Sequence, residues 1–288
     1  MDYVFHLLIL ICIYVILTVS LNILVGFTGL FSLAQAAFFG IGAYASSLLG
    51  LKLGLSFWAA TGIPILLAML IGIVLALVTL RLGGDYFILA VLGFQMMISG
   101  VLYNWVSVTR GPFGLYGISN PSFLGISISS NLGYLFLYGL ISLASYGIIH
   151  RLLVSPFGRV LKAIREDEIA TLVLGKNIVH YKVIVFAISS GFAALAGSLH
   201  AHYFTTLHPV SFSLSESILI VTIVIIGGSG SLKGSVLGTI LLILFPEALR
   251  FLNIPSEVAP PIQQMFYGFL LIFFMLFRPQ GLVGEYKV

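Results

Sequence analysis

Few residues in this chain have the type and spacing that bond-making chemistry needs, and each candidate set fails on detail. The glycine-rich stretch Gly227-Gly228-Ser229-Gly230-Ser231-Leu232-Lys233-Gly234-Ser235 invites a nucleotide-binding reading. A phosphate loop requires Gly-Lys-Ser/Thr, so that the lysine reaches the phosphates and the hydroxyl reaches magnesium. Here Lys233 precedes Gly234 and also occupies the last glycine position of a dinucleotide fingerprint. A re-entrant turn or tight interhelical connection accounts better for Gly227, Gly228 and Gly230. His200 and His202 are two residues apart, about 200° around a helix, so they cannot share a metal, and His208 falls in the following loop. No H-E-x-x-H motif, paired aspartates or G-x-S-x-G elbow is present. The sequence predicts no catalytic residue, no metal site and no cofactor.

Acidic residues within a bilayer mark proton- or sodium-coupled pumps. Asp85 is expected near one helix start and Glu216 near another, where a carboxylate suits the positive end of the helix dipole. Glu247 stands three residues before Arg250, a spacing that allows an intrahelical pair. No acid is expected at mid-bilayer. The uncharged polar residues Asn22, Gln35, Gln95 and Asn104 lie inside apolar runs and either line a pathway or hydrogen-bond between helices.

The elements that must position these residues follow from composition. Of 288 residues, 60% are hydrophobic and 8% are charged, and the mean hydropathy is +1.16. A soluble domain carries about 25% charged residues, and a disordered one more. Both are excluded. The composition predicts an all-α polytopic membrane protein, a bundle of about eight to ten transmembrane helices with broken or re-entrant segments, in one domain over residues 1–288. Spanning candidates fall near 4–24, 31–51, 57–80, 86–106, 132–154, 182–203, 216–227, 235–252 and 262–278. The seventh breaks at Gly227-Gly228 and is either a half-span or part of a longer broken helix. The N-terminus does not read as a cleaved signal peptide, having Asp2 in place of a basic region. The single cysteine, Cys12, cannot form an internal disulfide.

Arg151, Arg159, Lys162, Arg165, Lys176 and Lys182, six of the thirteen basic residues, cluster in 151–182. By the positive-inside rule that loop is cytoplasmic, which predicts an outer N-terminus and an inner C-terminus. The net charge of +4 therefore follows a membrane pattern and does not point to nucleic acid. Small residues recur every fourth position at Gly42, Ser46 and Gly50, at Ser189, Ala193, Gly197 and Ala201, and at Gly230, Gly234 and Gly238. Such stripes let helix backbones approach in lipid. A faint repeat, G-x-x-S-L, occurs at Gly29–Leu33 and Gly228–Leu232, and transporter folds are often built from repeats.

The richest signal is the loop at about 155–181. A mere connection would be shorter. Glu166, Asp167 and Glu168 suit a helix start, and Gly175 suits the left-handed position that closes one. Ile169, Leu172 and Val173 share a small apolar face, so the loop is either a surface helix or a plug for a cytoplasmic partner.

That loop, G-R-x-L-x-A-I-R-E-x-E-x-A followed by L-G-x-N, resembles the cytoplasmic loop of branched-chain amino acid ABC importer permeases, in particular the M-type subunit that pairs with an H-type one. The likeness extends to Asn22–Gly29, Gly40–Tyr44, Thr109–Leu115, Phe186–Gly197, Ile226–Ser231 and Arg278–Leu282. Thr171 stands where the motif commonly has a second alanine, and Arg110 where the outer run usually has glycine. The resemblance implies a non-enzymatic subunit of an ATP-driven importer of leucine, isoleucine and valine in a bacterial or archaeal cytoplasmic membrane. It implies an H-type sister permease, two ATPase subunits and a periplasmic or lipid-anchored substrate-binding protein as partners. It assigns ATPase coupling to Gly158, Arg159, Ala163, Arg165, Glu166, Glu168, Ile169, Ala170, Leu172, Gly175 and Asn177. Related permeases for urea, short amides and other amino acids share much of the pattern. An ion-coupled secondary transporter is the alternative from another class, and a membrane enzyme or scaffold is a third.

Overall fold

The computed structural model describes residues 2–123, 126–127, 130–250, 259–278 and 280–284. The helices are α1 (Asp2–Thr28), α2 (Gln35–Leu53), α3 (Phe57–Thr79), α4 (Gly84–Asn104), α5 (Val106–Thr109), α6 (Asn131–Val154), α7 (Pro156–Glu166), α8 (Glu168–Val173), α9 (Ile178–Phe204), α10 (Leu214–Gly227), α11 (Leu232–Arg250) and α12 (Ala259–Phe277). Among the described residues, six helices (α1, α2, α3, α4, α6 and α9) are long and apolar enough to cross a membrane, and α10, α11 and α12 hold shorter apolar segments. Among the described residues a helix therefore stands in each of the nine expected segments, the second starting at Gln35 and not at 31, and Gly227 ends the short seventh one. The side chains of Glu247 and Arg250 lie outside the described residues, as does the connection 251–258.

The packing inverts the usual soluble pattern. On α3 the small residues Ala60, Ala68, Gly72 and Ala76, with Pro64, are buried at four-residue spacing. The large residues Leu66, Leu70, Val74 and Val78 on the other side are exposed. In lipid there is no gain from hiding leucine, so backbone approach along small residues decides which face turns inward. Two of the expected stripes meet one another: Gly42 on α2 lies against Ala194 on α9, and Gly197 on α9 against Phe39 and Ala43 on α2. In the third stripe, Gly234 and Gly238 close on Gly227 across the α10–α11 hairpin. α1 is buried along most of its length and contacts α6, α9, α10 and α11, so it is the central post of the bundle.

Two connections organise the ends. On one face the short strands Leu115–Tyr116 and Thr206–Leu207 pair antiparallel, tying the segment after α4 to the segment after α9. Asp2 and Asn131 meet on one face, with Nδ2 of Asn131 donating to Oδ1 of Asp2 at 2.9 Å, so α1 and α6 start together. The opposite face carries α7 and α8. The single helix expected in that loop is in fact two. Asp167 has an extended backbone at φ −154° and ends α7 while opening α8. Glu166, expected at a helix start, is therefore the last residue of α7.

The G-x-x-S-L repeat marks corresponding connections. Gly29 (φ +71°) follows α1 and leads to α2, and Gly228 (φ +126°) follows α10 and leads to α11.

Candidate functional site

α7 folds back beneath α6 because Pro156 starts it in the first turn and Gly158 allows close approach: a Cβ there would strike the Leu153 carbonyl. Its inner side buries Gly158, Leu161 and Ile164, and its outer side exposes Arg159, Ala163 and Glu166. Lys162 holds its ammonium 5.7 Å from the centre of the Phe27 ring at the end of α1. Arg165 donates to the Gly26 carbonyl of α1 and, at 3.4 Å, to the Ser229 hydroxyl in the α10–α11 turn. One side chain thus touches the ends of both repeat arms.

α8 has its backbone groups satisfied at both ends. The Asp167 carboxylate accepts from the Ala170 amide at 3.0 Å. At the other end Gly175 takes φ +76°, its amide donates to the Leu172 carbonyl at 2.9 Å, and the Lys176 amide donates to that of Thr171 at 3.3 Å. This is a complete Schellman closure, and it requires the left-handed residue that the sequence supplies. Glu168 accepts from Lys182 at 2.6 Å. Thr171 is the buried residue of α8, its hydroxyl donating to the Asp167 carbonyl at 2.8 Å. Ala170 is exposed, and Ile169, Leu172, Val173 and Leu174 are exposed by 76%, 59%, 81% and 76%. Asn177 then caps α9, accepting from the His180 amide at 3.2 Å. A rigid, capped helix therefore presents an uncovered apolar face beyond the bundle, where a solvated helix would carry polar residues.

The in-span polar residues divide clearly. Nδ2 of Asn22 donates to the Ser231 carbonyl at 2.9 Å and the Ser235 hydroxyl at 2.6 Å. Its Oδ1 accepts from the Gly230 amide at 2.9 Å, so Asn22 clasps the α10–α11 turn. Gly227, Gly228 and Gly230 are that turn: Gly227 packs on Gly234, and Gly228 lies against Gly284. Gln35 donates to Ser20 at 2.7 Å. Gln95 donates to the Phe212 carbonyl at 3.0 Å and accepts from Ser217 at 3.3 Å. Asn104 is exposed and donates at 2.9 Å to Gly100 of its own helix. Asn22, Gln35 and Gln95 join elements, and Asn104 does not.

Two cavities that hold acidic side chains open toward the ends of the bundle. One of about 290 Å³, on the α7–α8 face, is lined by Phe31, Asp85, Phe87, Glu168 and Lys182 among others. The other, of about 540 Å³, lies toward the opposite face and is lined by Tyr14, His200, Glu216, Gln263, Gln264 and Tyr267 among others. Glu216 is in the first turn of α10, at a helix start as expected. Its Oε1 accepts from the Tyr14 hydroxyl at 2.5 Å, and Tyr14 stands halfway along α1. Glu216 is thus joined to the middle of α1, a link between residues 202 apart that no local sequence signal carries.

The histidines lie apart, as their spacing predicts. Nδ1 of His202 donates to the Ser119 carbonyl at 2.8 Å, His208 stacks edge-on with Tyr116, and His200 faces the larger cavity. Among the described residues no three His, Cys, Asp or Glu side chains converge as a metal site.

The family described as branched-chain amino acid transport system, permease component, matches residues 3–275. The chain is 37% identical to the high-affinity branched-chain amino acid transport system permease protein LivM of Escherichia coli (strain K12), over 94% of this chain and 68% of that protein. It is 34% identical to the LivM of Salmonella typhimurium over the same shares. It is 27% identical to a probable LivM of Methanocaldococcus jannaschii, over 76% of this chain and 66% of that one. No solved structure matches. A multi-pass helical bundle, a capped apolar helix beyond it and a match along nearly the whole chain agree: the chain belongs to the branched-chain amino acid transport permease family.

Proposed function

We propose that this chain is the M-type permease subunit of an ATP-driven importer that carries leucine, isoleucine and valine across the cytoplasmic membrane of a bacterium or archaeon. The face of α7 and α8, which holds most of the clustered basic residues, is cytoplasmic by the positive-inside rule, and the start of α1 is outside. The observation that carries the reading is the apolar face of α8, formed by Ile169, Leu172, Val173 and Leu174. A secondary transporter has no use for such a face, whereas an ATPase subunit offers a groove for a helix of this kind. An H-type sister permease completes the pathway, two ATPase subunits hydrolyse ATP, and a substrate-binding protein docks on the outer connections. The apolar cargo of the named relatives suits a passage with few ionised groups.

The test is uptake of labelled leucine by the assembled complex, with unlabelled competitors. Isoleucine and valine should compete strongly and basic amino acids weakly. Competition by urea or a basic amino acid, with none by isoleucine, would move the chain to a sister family.

A further inference from the structure

The larger cavity holds a group that the packing of the bundle does not need. A carboxylate packed against a central helix is costly in lipid and persists where it faces a partner or an aqueous passage. Glu216 has a partner in Tyr14, which occupies Oε1. A carboxylate keeps further acceptor sites beyond one such bond. The surrounding wall is mixed. Gln263 and Gln264 approach from α12, while Leu7, Leu10 and Leu219 supply an apolar side. His200 contributes a second polar feature: its Nδ1 is buried and has no hydrogen-bond partner among the described residues. The first turn of α10, which carries Glu216, is also a helix N-terminus, where the dipole is positive. The Glu216 carboxylate, a helix N-terminus, the His200 ring and an apolar wall line one cavity of about 540 Å³, a size that small-molecule sites share at about 300–1,000 Å³.

We infer that this outer cavity is a transit site for a zwitterionic α-amino acid. The Glu216 carboxylate receives the ammonium group, the α10 N-terminal turn meets the carboxylate, and the apolar wall takes the side chain. This rests on the reading of the chain as an amino acid permease, and it adds a specificity-determining residue that acts after the binding protein has released its cargo. No bond is made or broken at the site.

The test uses the whole complex in proteoliposomes, with its ATPase subunits, sister permease and binding protein. Leucine uptake and ATP hydrolysis are measured together. Glu216→Gln should lower uptake about tenfold or more, the scale of a lost hydrogen bond to a charged group. ATP hydrolysis stimulated by the loaded binding protein should stay near that of the unaltered complex, and Glu216→Asp should recover part of the uptake. A second measurement leaves Glu216 in place. In a Cys12→Ser background, Ser215→Cys should react with an external thiol reagent, and leucine should slow the reaction while 4-methylpentanoate, which lacks the ammonium, should not. Normal uptake in Glu216→Gln overturns the inference. So does a fall of uptake and ATP hydrolysis in parallel, or equal protection by the two ligands. A complex with Glu216 intact that fails to import leucine refutes the parent reading instead.

Discussion

Lys182 Nζ lies 2.6 Å from Glu168 Oε1, which ties the first residue of α8 to the start of α9. The lysine side chain is 11% exposed and the glutamate 53%, so one partner is held by the bundle and the other by the loop. A half-exposed ion pair contributes about 0.2–1 kcal/mol. Glu168→Gln should therefore loosen α8 without unfolding it, and amide exchange across 168–174 should quicken by up to about fivefold. Hydrogen exchange with mass spectrometry reads this directly. Unchanged exchange would mean that the caps at Asp167 and Gly175 alone hold the helix.

Gly175 at φ +76° closes α8 through two backbone hydrogen bonds. A β-branched side chain there is strained, and the left-handed conformation costs an ordinary residue roughly 1–2 kcal/mol. Gly175→Val should reduce uptake while membrane abundance stays normal. Gly175→Asn, whose short polar side chain tolerates this conformation, should be milder. Equal losses in the two variants would point to the space around the residue and not to its backbone angle.

Arg110 sits at φ +60° in the connection after α5, and its side chain is exposed. A glycine, the residue that the family resemblance leads one to expect at this point, would adopt this backbone conformation without strain. Relief of about 1–2 kcal/mol of strain is offset by about 0.5–1 kcal/mol of added chain entropy in the unfolded state. Arg110→Gly should thus leave the unfolding midpoint of the purified protein unchanged or raise it by a few degrees. A clear fall would assign the guanidinium a bond that exposure does not suggest.

The bundle was legible in the sequence wherever hydropathy alone decides. Leu66, Leu70, Val74 and Val78 announce a span regardless of what α3 packs against. Gly175 was legible as a helix stop because only its backbone was at issue. The division of α7 from α8 was not, because three acids in a row, Glu166, Asp167 and Glu168, suit either a helix start or a break, and only the extended backbone of Asp167 selects between them. Thr171 stands out in the sequence only as a departure from a motif; it is the residue of α8 that faces the protein. The contact of Glu216 with α1 escaped because its partner, Tyr14, is 202 residues away.

Asn22 makes three hydrogen bonds of 2.6–2.9 Å to the α10–α11 turn. Its truncation leaves the Gly230 amide buried without that partner, at about 1–3 kcal/mol for such a group. Asn22→Ala should lower the unfolding midpoint by several degrees. Asn22→Asp should fare no better, since a carboxylate oxygen would then face the Ser231 carbonyl. A midpoint unchanged in Asn22→Ala would show that the turn is held by its glycine packing alone.

The docking of α8 on an ATPase subunit is tested most directly by Leu172→Asp. Burying a leucine side chain is worth about 1.5–3 kcal/mol, and a carboxylate in its place adds a desolvation cost. The variant should capture ATPase subunits at least about tenfold less well and lose most leucine uptake, while its level in the membrane stays normal because no spanning helix is altered. Normal capture and normal uptake at normal abundance would contradict the account, and α8 would then be a surface helix only.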